Sequence, residues 1–210
     1  MSPTHLRLPL LLLSLSLFAC SALRVERVDI AADTDDGSLS ALTRFLPYPA
    51  GWAASLTEDC RVGNSTNRAG DTLCHRALYR FDISNWRDGD ITLHLRCAAS
   101  TGTPGAAEVI CIDTFPTLPD TMSLAPGDIS AWWNLAAVGN LVGTTHLLPN
   151  REFSAVIPES IVARRRAGGY LCFMIRLADE TRSGNNWFRL VTSDYARAHA
   201  TDKPHLTWKK

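Results

Sequence analysis

Residues 76–97, RALYRFDISNWRDGDITLHLRC, decide the fold class of this chain. Apolar and polar residues alternate as far as Ile83, and the same two-residue period returns from Ile91 to Cys97. This period is typical of a strand with one face in a core and the other toward water. The Asp88-Gly89 pair between the two segments favours a turn. The stretch therefore predicts two neighbouring strands joined by a short connection.

Further strand-like segments follow this pair. Residues 106–115 and 168–179 are apolar on both faces, as central strands of a two-sheet core are. Two shorter apolar runs, at 187–192 and 205–208, add two more strands. Many short strands separated by Gly, Pro and Asp turns predict an all-β fold. We expect a two-sheet antiparallel β-sandwich, jelly-roll-like, with one short helix.

The predicted helix lies near residues 158–169. Pro158 and Glu159 suit its first turn, its arginines suit its last turn, and the Gly168-Gly169 pair ends it. By contrast, residues 116–150 have little periodicity and several prolines. That segment predicts long loops with one or two short elements.

The first 22 residues predict a signal peptide. They combine Arg7, an apolar run too short to span a bilayer, and small residues that end at Ala22. Residues 23–210 then form a single domain that is secreted and has no membrane span. Cys20 leaves with the signal peptide unless it is lipidated. The balance of 21 basic and 21 acidic residues gives no electrostatic footprint for nucleic acid.

Five cysteines remain in the predicted mature chain. In an oxidising compartment they predict two disulfides and one remaining thiol, which can join a partner chain. The favoured pair is Cys60–Cys74, because these residues bracket a polar loop. Cys97–Cys111 comes next, and Cys111–Cys172 competes with it. In the loop between Cys60 and Cys74, Asn64 begins an Asn-Ser-Thr acceptor for N-glycosylation, which applies in a eukaryotic source.

Motifs for catalysis are absent from the sequence. It contains no Gly-x-Ser-x-Gly, no His-Glu-x-x-His and no phosphate-binding glycine loop. Ser193, Asp194 and His199 lie close together near the end of the chain, but the neighbouring strand patterns favour a connection before the last strand. We expect side-chain hydrogen bonds from Ser193 and Asp194 to hold the backbone of that connection.

Two groups of residues suggest binding instead. Exposed indole rings can stack on the apolar face of a sugar while neighbouring polar groups bind its hydroxyls, although a tryptophan can equally cap a core. One turn contains Asp82, Asp88 and Asp90 together with Ser84. These side chains offer oxygen ligands for a calcium ion, although ordinary turn chemistry explains them too. The candidate sugar-binding residues are Trp86, Trp132, Trp133, Trp187, Asn185 and Arg189.

The chain resembles the secreted DNRLRE-type β-sandwich domains, which are grouped with carbohydrate-binding modules. The similarity runs from about residue 25 to residue 208. An Arg-x-Leu-x-x-Phe-Asp strand opens the pattern, and a serine-acid pair, a loop and a basic residue before proline close it. The matching residues are Arg76, Leu78, Tyr79, Phe81, Asp82, Phe188 or Val191, Ser193, Asp194, Lys203 and Pro204.

The resemblance implies binding to cell-surface or matrix polysaccharide. We therefore expect a secreted, non-catalytic carbohydrate-binding protein with no cofactor other than the calcium considered above. One alternative is a structural or adhesion protein of a wall or matrix, in which the odd cysteine joins another chain. The other is a polysaccharide-degrading enzyme built on the same sandwich.

Overall fold

The computed structural model describes residues 24–31, 35–42, 54–55, 59–114, 126–193 and 202–209. The predicted signal peptide, with Cys20, lies outside these residues, as do Asp194 and His199. The described residues form twelve strands and two helices: β1 (Val25–Asp29), β2 (Asp36–Leu42), β3 (Ala54–Ser55), β4 (Asp59–Thr66), β5 (Thr72–Asp82), β6 (Ile91–Thr101), β7 (Ala107–Ile112), α1 (Pro126–Val138), β8 (Asn140–Thr145), β9 (Arg151–Ile157), α2 (Glu159–Arg165), β10 (Tyr170–Leu177), β11 (Asn186–Val191) and β12 (His205–Lys209).

All twelve strands belong to one antiparallel sheet, in the order β1-β12-β6-β11-β4-β5-β10-β7-β8. Outside this path, β2 pairs with β3 and β5, and β9 pairs with β6. The sheet is curled, so the architecture is sandwich-like. The prediction of an all-β fold is confirmed, and its two layers are parts of a single sheet.

The two long strands that the opening stretch predicts account for the curl. β5 pairs with β4 through Thr72–His75 and with β10 through Ala77–Asp82. β6 likewise pairs with β12 through Ile91–His94 and with β11 from Cys97 onward. A strand that changes partner along its length passes from one layer to the next, which lets the sheet fold over its own core.

The central strands bury both faces, as their sequences predict. In β10, Leu171, Phe173 and Ile175 belong to the main core, whereas Cys172 and Met174 belong to a second cluster. The second cluster also contains residues of α1. The outer face of these strands is therefore covered by a helix and not by a second sheet.

Helix α1 lies in the segment that predicts long loops. Its sequence, PGDISAWWNLAAV, is apolar nearly all round and lacks the polar face that marks an amphipathic helix. The described residues therefore contain two helices, where the sequence predicts one. The helix α2 is confirmed, with Pro158 at its start and both Gly168 and Gly169 at positive φ beyond its end.

The predicted disulfides are wrong. Within the described residues no cysteine forms a disulfide, and the thiols of Cys60, Cys74, Cys97, Cys111 and Cys172 are buried. Cys60 belongs to the main core and Cys74 to the second cluster, so the sheet separates them. Cys111 and Cys172 are separated in the same way. Cys97 and Cys111 share the main core but are not bonded.

Burial also suppresses the chemistry of these thiols. It raises the pKa of Cys111 to about 12, with a further contribution from Cys172, and it raises the pKa of Cys74 and Cys97. Because the thiolate is the reactive form, these side chains act as small apolar residues.

Neither described helix has the length and apolar character needed to cross a bilayer.

Candidate functional site

Three of the four candidate tryptophans are core residues. Trp132 and Trp133 are 7% and 3% exposed, in the cluster between α1 and the sheet. Trp86 is 2% exposed in the main core, and its Nε1 donates a hydrogen bond of 3.1 Å to the carbonyl of Gly89. The prediction that these rings face a ligand is wrong, because helix and sheet packing covers them.

Trp187 keeps part of its ring at the surface. It lies on β11, two residues before Arg189, so both side chains leave the strand on the same face. Arg61 is the partner of Arg189 on the neighbouring strand β4, and its guanidinium carbon lies 5.0 Å from the centre of the Trp187 ring. Exposed Asn185 directly precedes the strand. These four residues are called the Trp187 surface.

Hydrogen bonds hold the backbone around this surface. The Oδ1 of Asn185 accepts from the amide of Thr66 at 2.9 Å, and the Oδ1 of Asn186 accepts from the amide of Thr103 at 2.9 Å. Gly63, opposite Trp187, has φ of 122°, and a Cβ there would collide with the carbonyl oxygen of Asn186. The platform is therefore fixed by neighbouring strands and loops before any ligand arrives.

Sequence reasoning found three members of this surface and missed Arg61. Asn185, Trp187 and Arg189 stand close together in the chain, and their side-chain chemistry marks them as ligand-binding candidates. Arg61 comes from a strand far away in sequence, and only the β4–β11 register brings it to the ring. Nothing in its own sequence neighbourhood predicts that contact.

A second group of polar side chains lines the outward face of β1, β12, β6 and β9. Thr207 lies opposite both Arg27 and Thr92 in the strand register. His205 lies likewise opposite Asp29 and His94. We call this group the polar face; its residues are Arg27, Asp29, Thr92, His94, Glu152, Ser154, His205 and Thr207.

Two stacked imidazoles organise the polar face. The rings of His94 and His205 are nearly parallel, with centres 4.5 Å apart. His94 has its Nδ1 3.1 Å from Oε1 of Glu152 and its Nε2 2.9 Å from Oγ1 of Thr207. Burial lowers the pKa of His205, and the nearby Arg27 and His94 add to that effect. Both rings are therefore held in fixed orientations.

A cavity of about 380 Å³ opens at one end of the polar face. Asp90, at its edge, accepts a hydrogen bond of 2.8 Å from the backbone amide of Glu159 through Oδ1, which ties the start of β6 to α2. The cavity is lined by Val25, Gly89, Asp90, Thr92, Thr207, Trp208 and Lys209. None of these residues was singled out by the sequence as a sugar-binding candidate.

The predicted calcium site is not formed. The Oδ1 of Asp82 accepts from the amide of Ser84 at 2.8 Å, and Asp90 is bonded to the start of α2. Across the described residues, no group of three or more His, Cys, Asp or Glu side chains is placed to hold a metal ion. Asp82 and Asp90 therefore bond to the backbone of the turn and of α2, and the three aspartates do not form a metal site.

The predicted glycosylation site is inaccessible. Asn64 is fully buried, and its Nδ2 donates to the backbone carbonyls of Glu180, at 3.1 Å, and Arg182. A glycan on that nitrogen would displace both hydrogen bonds and the packing around them. The acceptor motif is thus incompatible with this fold.

Buried histidine and serine residues form a connection between strands. His75 of β5 has Nδ1 2.7 Å from Oγ of Ser40 on β2 and Nε2 2.6 Å from Oγ of Ser65 on β4. Because both ring nitrogens bond to hydroxyls, neither is directed at a carboxylate as in a hydrolase triad. Burial first, and then the charge of Arg61, lower the pKa of His75 to about 4. The ring is neutral at pH 7.

Ser193, like His75, links separate segments of the chain by hydrogen bonds. Its amide and Oγ donate to the two carboxylate oxygens of Asp36, at 2.6 Å and 3.0 Å. This partner lies on β2, and the connection that Ser193 is expected to hold, residues 194–201, lies outside the described residues. Pro204 does precede the last strand as predicted, and its carbonyl accepts from the amide of Ile30 at 3.1 Å.

Comparison with protein-family models gives no match for this chain, and comparison with curated proteins gives none either.

Proposed function

We propose that this protein is a secreted, non-catalytic carbohydrate-binding protein that holds polysaccharide on the Trp187 surface. One observation carries the proposal. Of the four tryptophans that the sequence offers as sugar platforms, Trp187 alone keeps its ring partly exposed, and it does so beside Arg61, Arg189 and Asn185. An indole ring next to hydrogen-bond donors matches the two kinds of surface that a sugar presents.

Each member of the surface has a distinct part in binding. The apolar ring of Trp187 stacks on the C–H face of a sugar residue. The guanidinium of Arg61, held above the ring by a cation–π contact, and that of Arg189 donate hydrogen bonds to hydroxyl and ring oxygens. The amide of Asn185 contributes a further polar contact at the edge. Because strand pairing fixes these groups, little conformational entropy is lost on binding.

The sequence supports the other parts of this proposal. The signal-peptide pattern of residues 1–22 supports secretion. The similarity to DNRLRE-type domains, read from the sequence, supports polysaccharide as the ligand class. The adhesion alternative required a thiol that can reach a partner chain, and all five thiols in the described part of the chain are buried. Carbohydrate binding is therefore the stronger proposal.

The test is a binding screen of residues 23–210 against soluble and insoluble polysaccharides, by pull-down and calorimetry. We expect binding that Trp187→Ala and Arg61→Ala each weaken by about tenfold or more. Leu148→Ala is the control, because Leu148 is 61% exposed and belongs to the β8–β9 connection, which contributes none of the four residues of the Trp187 surface. If Trp187→Ala keeps both its fold and the full affinity, the Trp187 surface is not the binding site.

A further inference from the structure

We infer that the cavity at the end of the polar face is a second ligand site, which takes one neutral sugar ring. The inference does not depend on the Trp187 surface, because it is carried by different strands and different residues. Its volume of about 380 Å³ falls within the range of roughly 300–1,000 Å³ that small-molecule sites occupy.

Strand register places two hydroxyl groups side by side in this cavity. Thr92 of β6 and Thr207 of β12 are direct partners across the antiparallel pair, and both line the cavity. Partnered side chains have Cβ atoms about 5 Å apart on one face of the sheet. Two adjacent hydroxyls of a sugar ring can therefore be met by two adjacent threonines.

The charges at the cavity are balanced. Asp90 brings one carboxylate, which accepts hydrogen bonds, and Lys209 brings one ammonium group, which donates them. Hydroxyl groups can satisfy both, whereas an anionic or cationic ligand would meet one charge of its own sign. Val25, 58% exposed, supplies apolar surface for the C–H groups of the ring. These residues favour a neutral polyhydroxylated ligand.

Two of the polar groups are oriented by the protein itself. The hydroxyl of Thr207 is bonded to Nε2 of His94, whose ring is held in turn by Glu152 and by stacking on His205. Asp90 is held by the amide of Glu159. A site whose polar groups are positioned in advance loses less free energy on binding than one that must be ordered.

The test is a two-dimensional NMR titration of residues 23–210 with glucose, galactose, mannose, xylose and fucose. We expect saturable shifts for the amides that line the cavity with at least one of these sugars. Thr207→Val should weaken the binding by about tenfold, because it removes a hydroxyl and keeps the shape. Asp90→Asn should weaken it too, while its amide oxygen still accepts from Glu159. Thr144→Val, on the exposed side of β8, is the matched control and should change nothing.

Two results would overturn the inference. One is the absence of saturable shifts with all five sugars. The other is unchanged sugar affinity in folded Thr207→Val and Asp90→Asn variants. Trp187→Ala separates this site from the proposed polysaccharide surface. It should leave the monosaccharide titration unchanged; loss of that titration would be a third contradicting result, because it would assign the sugar to the Trp187 surface.

Discussion

At the scale of single residues, His75 shows how a side chain that resembles a catalytic group can serve stability. Its ring joins Ser40 on β2 to Ser65 on β4, and so links three strands through two hydrogen bonds. The ring stays neutral at pH 7, because burial disfavours the charged form and the positive charge of Arg61 repels it. Its pKa of about 4 reflects that constraint.

The first prediction concerns the pH dependence that follows. The pKa of His75 is about 4 in the folded state, below the ordinary value of 6.5, so the unfolded chain binds a proton more readily. The free energy of unfolding should therefore fall as pH is lowered from 6.5 to 4, by about 3 kcal/mol from this group alone. Above pH 6.5 its contribution should be constant. Urea denaturation at a series of pH values measures the change.

His75→Gln is the control for this prediction. The glutamine side-chain amide has an oxygen that accepts and a nitrogen that donates hydrogen bonds, so it can still join both serines. Unlike histidine, it does not titrate. Between pH 6.5 and 4, the free energy of unfolding should decline by about 3 kcal/mol less in the variant than in the unmodified protein. Equal declines in both proteins would show that His75 does not govern the acid response.

The second prediction separates the buried tryptophans from the exposed one. Trp133 lies on the face of α1 that packs on the sheet, where it is 3% exposed, and the guanidinium of Arg76 stacks on its ring at 3.4 Å. Trp133→Ala should lower the free energy of unfolding by about 3–5 kcal/mol. Trp187→Ala should lower it by only about 1 kcal/mol, because its ring is partly in water already. Urea denaturation of both variants checks this, and equal losses would contradict the assignment of Trp187 to the surface.

At the scale of secondary-structure elements, α1, β5 and the connection after β10 meet at one ion pair. Arg76 of β5 binds both carboxylate oxygens of Glu180, at 2.6 Å and 2.5 Å, and donates to the carbonyl of Trp133 in α1 at 2.8 Å. The Arg76 side chain is almost completely buried. Helix, sheet and loop are therefore held by the same guanidinium.

The third prediction is that breaking this pair from one side is costly. Glu180→Ala leaves the buried charge of Arg76 without its carboxylate, and the free energy of unfolding should fall by about 3–5 kcal/mol. Adding Arg76→Met should restore part of the loss, because methionine can fill the space over the Trp133 ring without a charge. A double-mutant cycle measures this. Additive losses would mean that the two side chains do not depend on each other.

The sequence predicts six of the twelve described strands, namely β5, β6, β7, β10, β11 and β12. The other six strands, α1 and the positions of most tryptophans could not be predicted from it. Period-two alternation in β5 and β6 records which face meets the core, and it is a local property. Helix α1 has apolar residues on its exposed face too, among them Ala131, Ala137 and Val138, so the contrast between a polar and an apolar face is weak. Trp132 and Trp133 are adjacent in sequence, which favoured one exposed ring, but a helix can tilt neighbouring side chains to either side of one contact.

Pairing between distant segments was equally hidden from the sequence. The favoured Cys60–Cys74 disulfide assumed that nearness in the chain means nearness in space. The two cysteines instead lie on opposite faces of the sheet. Strand register decides which face each residue of β4 and β5 takes, and it also places Arg61 beside Trp187. No single segment of the sequence encodes that register.

At the scale of the whole molecule, the fold is held by burial and strand pairing, with no covalent cross-link among the described residues. The fourth prediction follows from this. Dithiothreitol should leave the melting temperature of residues 23–210 unchanged, because no disulfide is there to reduce. A fall of several degrees would show that a disulfide forms.

Thiol titration gives an independent check on the same statement. A thiol reagent such as Ellman's reagent should react with the five buried cysteines only when the protein is unfolded in urea, because burial keeps the reagent away from them. Rapid reaction of one or more thiols in the native protein would contradict their burial.

The pairing of β1 with β12 also determines how the fold responds to force. Val25 lies opposite Lys209, and the two strands run antiparallel from that point. Tension applied between these two residues pulls both strands from the same end of the pair. The hydrogen bonds between the strands then break one after another and not all at once. Sheets pulled in that direction give way more easily than sheets whose strands must slide past each other all at once. A tether attached at both residues would therefore separate the edge strand β1 from β12 one hydrogen bond at a time.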